Sequence, residues 1–271
     1  MQKPLTRSFN KEKKMKKGLI LAAGLSSIFV LSSCLTVNAK KIVPPPYTPP
    51  KVEGVKVGEK ESLSKVYYST SSFPKIDGLF EEWQNLDGVH THEQVYGGLL
   101  DPKNADGFFV VRTDGENLYI YADVTDNDAG VNAYEAGQAW RGDSVEFFFG
   151  TDTSKHNSFK ESDVRVRIIP RSKTDKFDVS IGINDQEVQS DDIKAAVVYG
   201  ERGYQVEAKF PLSILSNKPL KLNQNLRFDF QVNDADGGKE RTGLLHWNSP
   251  NDNTYADPAS WGNVRVVALP E

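Results

Sequence analysis

Leu226-Arg227-Phe228-Asp229-Phe230-Gln231-Val232 alternates apolar and polar residues without a break. In an extended chain successive side chains point to opposite faces. Leu226, Phe228, Phe230 and Val232 therefore share one surface, while Arg227, Asp229, Gln231 and the following Asn233 share the other. Two more segments repeat the pattern. In 144–149, Val145, Phe147 and Phe149 oppose Ser144, Glu146 and Phe148; in 164–169, Val164, Val166 and Ile168 oppose Arg165 and Arg167. Three strands thus offer an apolar face for a core and a second face crowded with Glu, Arg, Asp, Gln and Asn.

Working outward, short runs of the same kind occupy 108–113, 117–124, 177–183, 193–199, 203–210, 244–247 and 264–267. Asp114-Gly115 between the first two is a hairpin turn signal. Helical hints are confined to Leu79–Trp83 and Leu212–Leu215, and no apolar stripe persists for three helical turns. This spacing predicts an all-β chain: a single antiparallel β-sandwich, jelly-roll-like, over residues 66–271.

The 271 residues carry a formal charge of −4, and its distribution is uneven. Residues 1–33 hold seven Lys/Arg and one Glu, leaving 26 bases and 36 acids over 34–271, a net −10. So acidic a body argues against binding nucleic acid through its phosphates. One cysteine excludes an intrachain disulfide framework and a Cys-based zinc site.

That cysteine has a telling position. Met15-Lys16-Lys17 precedes an apolar run of about 16 residues, shorter than the roughly 20 needed to span a bilayer, which ends in Leu31-Ser32-Ser33-Cys34. Basic head, apolar run and small exit residues describe a secretory signal, with Met1 or Met15 as its start. Leu-Ser-Ser-Cys resembles the lipobox of bacterial lipoproteins, which implies cleavage before Cys34 and its acylation. Cleavage after Ala39 would instead release a soluble protein. Residues 34–65, with Pro44-Pro45-Pro46 and Pro49-Pro50, read as an extended spacer that keeps the following domain off a membrane surface. The expected place is the cell envelope, lipid-anchored at the outer membrane or cell surface.

An ordered set of motifs then stands out: Ile76-Asp-Gly-Leu-Phe-Glu-Glu-Trp83, Leu118 to Asp126, Trp140-Arg-Gly-Asp-Ser-Val-Glu146, Gln231 to Asp236, Trp247 to Pro258 and Trp261-Gly-Asn263. Together they resemble a family 9 carbohydrate-binding module from about residue 66 to the end. The resemblance implies a non-catalytic β-sandwich, with structural calcium, that grips reducing ends of plant polysaccharides between two aromatic rings. It implies Trp140 as one of those rings, Glu146 and Arg167 as hydrogen-bonding partners of sugar hydroxyls, and Arg165 where the family often has Gln. Tyr255 stands where a second Trp is expected, and Asp252, with Asn253 beside it, where an Asn is expected. Both departures touch the implied site. Tyr stacks over less area than Trp, and Asp exchanges an amide donor for a charged acceptor. The expected partner is a poly- or oligosaccharide, together with separate glycan-degrading enzymes.

Other chemistries are weighed on their residues. Asp123, Asp126, Asn127 and Asp128 form an oxygen-rich cluster suited to calcium, with Asp123, Asp126 and Asp128 as the candidate ligands. Asn233-Asp-Ala-Asp-Gly-Gly238 is another such cluster, but Val232 breaks the EF-hand pattern. His90 and His92 with Glu93 lack a third metal ligand placed by sequence. A glycosidase needs two positioned carboxylates, for which Glu146 with Asp229 or Glu207 would have to serve. Met/His haem ligation is excluded because both methionines, at 1 and 15, precede the domain. No organic cofactor is expected. The rival from another class is a surface or periplasmic sandwich that contacts other proteins and has lost sugar binding through changes at 252 and 255.

Overall fold

The computed structural model describes residues 64–98, 101 and 103–271. The signal segment, Cys34 and nearly all of the spacer lie outside the described residues. Fourteen strands follow in order: β1 (Ser64–Tyr68), β2 (Val89–His90), β3 (Glu93–Tyr96), β4 (Ala105–Thr113), β5 (Asn117–Asp126), β6 (Ser144–Gly150) and β7 (Val164–Pro170), then β8 (Val179–Ile183), β9 (Gln186–Glu187), β10 (Lys194–Gly200), β11 (Gly203–Pro211), β12 (Asn225–Asp234), β13 (Gly243–His246) and β14 (Gly262–Ala268). Hydrogen bonding runs β10-β11-β5-β4-β1-β14-β12-β6-β7-β8-β9, with β13 bridging β12 to β3 and β2 paired to β4.

The sheet curls on itself to enclose one core. Leu118, Ile120, Ala122 and Val124 of β5 and Val206, Ala208 and Phe210 of β11 form one side; Val145, Phe147 and Phe149 of β6, Val164, Val166 and Ile168 of β7, and Leu226, Phe228, Phe230 and Val232 of β12 form the other. The alternating faces expected for β6, β7 and β12 are those observed. One departure is local. β1 pairs in parallel with both β4 and β14, so the sandwich is antiparallel everywhere except at the strand that joins its halves.

The expected helical hints resolve into a 3-10 turn at Glu81–Trp83 and an irregular turn after β11. No helix of the described residues is long and apolar enough to cross a membrane. Outside the main core, Trp83, Phe108, Val110, Tyr119 and Tyr121 form a second cluster over β4 and β5. Glu207 ties it down. Its buried carboxylate accepts the backbone N–H groups of Asp77 (2.7 Å) and Gly78 (2.6 Å) and the Trp83 indole N–H (2.5 Å). Gly78 turns there at φ 80°, a left-handed conformation open to glycine, which accounts for the Ile-Asp-Gly…Glu-Trp spacing. Trp247 and Trp261 are packing residues, 4% and 3% exposed.

Candidate functional site

The polar face of β12, β6 and β7 is not solvated. Register sets Gln231, Glu146 and Arg167 side by side across three strands, and each is at least nine-tenths buried. Glu146 is the hub. Its Oε1 accepts from Gln231 Nε2 (3.0 Å) and Asn233 Nδ2 (2.8 Å), and its Oε2 from Arg167 Nη2 (3.1 Å). Arg167 Nε lies 2.9 Å from Oε1, and Arg165 Nε lies 4.0 Å from Oε2. Burial opposes the charge on Glu146, but the two guanidinium groups and these hydrogen bonds outweigh it and hold its pKa below the ordinary value.

Loops bring the rest. The 3-10 turn Ala136–Arg141 carries Trp140 over the face, and Asn132 fixes it by donating to Ala139 O (2.7 Å) and Asp143 O (3.1 Å). Gly142 is needed here, since a Cβ would stand 2.9 Å from the Asn132 amide. Across the cleft, Asp229 accepts the backbone N–H groups of Asn248 (3.0 Å) and Ser249 (2.9 Å), and Trp261 donates its indole N–H to Thr254 O (3.2 Å). These bonds anchor the loop that presents Asp252 and Tyr255. The β8–β9 turn adds Asp185, which pairs with Arg165 and stands 3.5 Å from Arg167.

The result is a cleft of about 390 Å³, within the roughly 300–1,000 Å³ range of small-ligand pockets. Trp140, Glu146, Arg165, Arg167, Asp252 and Tyr255 all line it, although they span more than a hundred positions of sequence. Asn253 does not; its backbone carbonyl closes a turn by accepting from Ala256 and Asp257. Gln231, Asp185 and Arg241 join the lining without having been singled out as ligands. Gln231 was legible as a member of the polar face. Arg241, in the polar loop after β12, carries no local signal. Its guanidinium carbon lies 5.1 Å from the Trp140 ring centroid, and Asp252 holds it with Nη2–Oδ2 at 2.5 Å. Arg165 lies similarly near Tyr255, at 5.9 Å.

Beside this cleft sits an acidic group the sequence distributes differently. Asp126, Asp143 and Asp234, all buried, bring carboxylate oxygens within 4.8 Å of one another. Asp123 does not belong with them, because residues three apart on a strand face opposite ways, and it looks outward beside Asp106 and His90. Asp128 is also outside the trio; it accepts the Gly237 N–H at 2.7 Å. Burial, compounded by neighbouring carboxylates, pushes Asp126 up to about 6 and Asp143 and Asp234 up to about 7. Asp234 Oδ1 has no hydrogen-bond partner among the described residues. An all-oxygen set this crowded fits a hard divalent cation such as calcium.

Fold and cleft together define a β-sandwich with a polar cleft, walled by aromatic rings, between loops and a sheet face. The chain belongs to the family described as carbohydrate family 9 binding domain-like, whose model matches residues 76–269. It is 30% identical over 233 residues to an endo-1,4-β-xylanase A of Thermotoga neapolitana, covering 86% of this chain and 20% of the xylanase. It is also 30% identical over 201 residues to the exoglucanase XynX of Acetivibrio thermocellus, covering 73% of this chain and 17% of that enzyme. The chain thus spans about a fifth of the length of these relatives. Among solved structures, a family 9 carbohydrate-binding module of Caldicellulosiruptor kristjanssonii in complex with cellotriose shares the fold, with TM-score 0.59 and 21% identity, over 77% of this chain and 96% of that one. The same module has been solved with glucose.

Proposed function

We propose that this domain binds a neutral oligo- or polysaccharide and does not transform it. The observation that carries the reading is the single cleft in which Trp140 and Tyr255 meet a floor of Glu146, Arg167 and Gln231. A pyranose presents C–H groups on its faces and hydroxyls around its rim. Aromatic rings cover the faces, and charged planar groups accept from and donate to the rim. Arg165, Arg167 and Arg241 are matched by Asp185, Glu146 and Asp252, so the cleft holds no surplus charge for an acidic sugar. The cellotriose and glucose complexes of the similar module, and the xylanases among the relatives, favour β-linked plant glycans.

One observation supports a role without catalysis. Asp229 and Glu207, the carboxylates that could have partnered Glu146, each hold backbone N–H groups elsewhere and are fully buried. Calcium bound by Asp126, Asp143 and Asp234 would supply the positive charge that lets these carboxylates ionise together, and so rigidify the ends of the strands under the cleft. The sequence before the domain supports export, acylation at Cys34 and attachment to the envelope, where the domain would hold glycan for separate degrading enzymes.

Calorimetric titration of the protein, with calcium, against glucose, cellobiose, xylobiose and their alditols tests the reading. Binding with Kd between about 1 mM and 1 µM is expected, weakened at least about 30-fold in Trp140→Ala while the melting temperature stays unchanged. Titrations without heat across this panel and a broader glycan array overturn it and leave a protein partner as the alternative.

A further inference from the structure

The face that floors the cleft continues past β12. Asn233 pairs with Leu244 of β13, and Leu244 pairs with Tyr96 of β3. Paired residues project to the same side of a sheet, so the side bearing Glu146, Gln231 and Asn233 extends to Leu244, and a bulge between Leu244 and Leu245 interrupts the alternation on the way to β3. Side-chain contacts place the Tyr96 ring on this side. The Arg241 guanidinium carbon lies 4.8 Å from the Tyr96 ring centroid and 5.1 Å from that of Trp140. Arg241 is a fixed bridge between the rings, because its side chain is only 9% exposed and Asp252 pairs with it. Tyr96 itself is 48% exposed and lies outside the cleft lining.

A half-exposed aromatic ring next to a sugar cleft and braced on a guanidinium has the chemistry of a stacking platform. We propose that Tyr96 forms an outer subsite, which takes an additional ring of a neutral oligosaccharide whose terminal residue occupies the cleft. This rests on the carbohydrate reading of the cleft and adds that affinity depends on chain length. The Tyr96 contribution comes from C–H contact with the ring face and not from the hydroxyl, since stacking on a phenol needs only its π surface.

The test titrates cello- and xylo-oligosaccharides of two to five residues into the protein and into Tyr96→Ala and Tyr96→Phe. For the series that binds, the wild type gains about three- to tenfold in affinity between the disaccharide and the longer chains. Tyr96→Ala removes that gain and leaves disaccharide affinity within twofold; Tyr96→Phe keeps both. Equal affinity at every length in the wild type overturns the outer subsite while the cleft reading stands. So does a Tyr96→Ala variant that weakens disaccharide and pentasaccharide alike, because Tyr96 would then act only by bracing Arg241. Absence of binding to any sugar brings down the cleft reading itself, and the subsite with it.

Discussion

Glu146 and Arg167 face each other across neighbouring strands and meet side-on, with Nε 2.9 Å from Oε1 and Nη2 3.1 Å from Oε2, both side chains almost fully enclosed. A buried pair of this kind is costly to break from one side, because the remaining charge loses its partner in a medium of low polarisability. Glu146→Gln leaves Arg167 in that position. The expected outcome is a loss of about 3 kcal/mol or more in urea unfolding, together with loss of detectable sugar binding. Arg167→Lys at equal stability but with weakened sugar affinity would separate the binding role from the structural one.

Asp252 spends both carboxylate oxygens on Arg241, with Oδ2 at 2.5 Å and Oδ1 at 3.4 Å. The resemblance expects Asn at this position, and the structure shows what the exchange does: the acid orients a guanidinium against Trp140. Asp252→Asn removes the charge that holds Arg241. Sugar affinity is expected to fall about three- to tenfold, and the melting temperature to fall with it, since the Arg241 side chain is only 9% exposed and loses its charged partner. An affinity that rises in Asp252→Asn would mean that the amide contacts the sugar directly.

Calcium binding by the acidic trio, as proposed above, is expected to depend on pH. Asp143 and Asp234, pushed up to about 7, and Asp126, up to about 6, carry protons in moderately acidic solution, and protons compete with the cation for the same oxygens. Calcium is therefore expected to raise the melting temperature at pH 7.5 and to raise it much less at pH 5.5. Asp143→Asn abolishes the increment at both. Differential scanning calorimetry with calcium and with chelator reads this directly. An equal increment at both pH values would exclude the trio as the binding site.

Strand alternation made the fold and half of the site legible. Once Val145, Phe147 and Phe149 were assigned to a core, Glu146 had to stand on the opposite face, and its neighbours Arg167 and Gln231 followed from the same parity. What alternation cannot supply is register. Asp143 precedes β6 and Asp234 ends β12; they meet because Ser144 pairs with Asn233, which no local pattern encodes. The compact run Asp123 to Asp128 reads more like a cation loop, yet only Asp126 of that run belongs to the trio. Arg241 was hidden for a related reason. Its loop is polar like any exposed turn, and its role arises from contact with Trp140 and Asp252, each remote in sequence.

Asp229 and His246 illustrate how burial can move a proton without making stability depend on pH. Both are fully enclosed, with Nδ1 3.6 Å from Oδ2. Burial pushes Asp229 up to about 7 and His246 down to about 4. Between pH 4 and 6.5 the folded pair carries one proton, on the carboxyl; the unfolded pair also carries one, on the imidazole. Unfolding then exchanges no net proton at this pair, and its contribution to the pH profile is level. His246→Asn breaks the balance. Asp229 alone has a folded pKa above its unfolded one, so the folded state binds more protons and stability falls as pH rises through the window from about 4 to 7. Urea unfolding of both proteins in saturating calcium at pH 4.5, 5.5 and 6.5 reads the difference between the profiles, in which all other groups cancel. A variant whose profile runs parallel to the wild type would show that the Asp229 carboxylate stays ionised in the fold, held by the N–H groups of Phe230, Asn248 and Ser249.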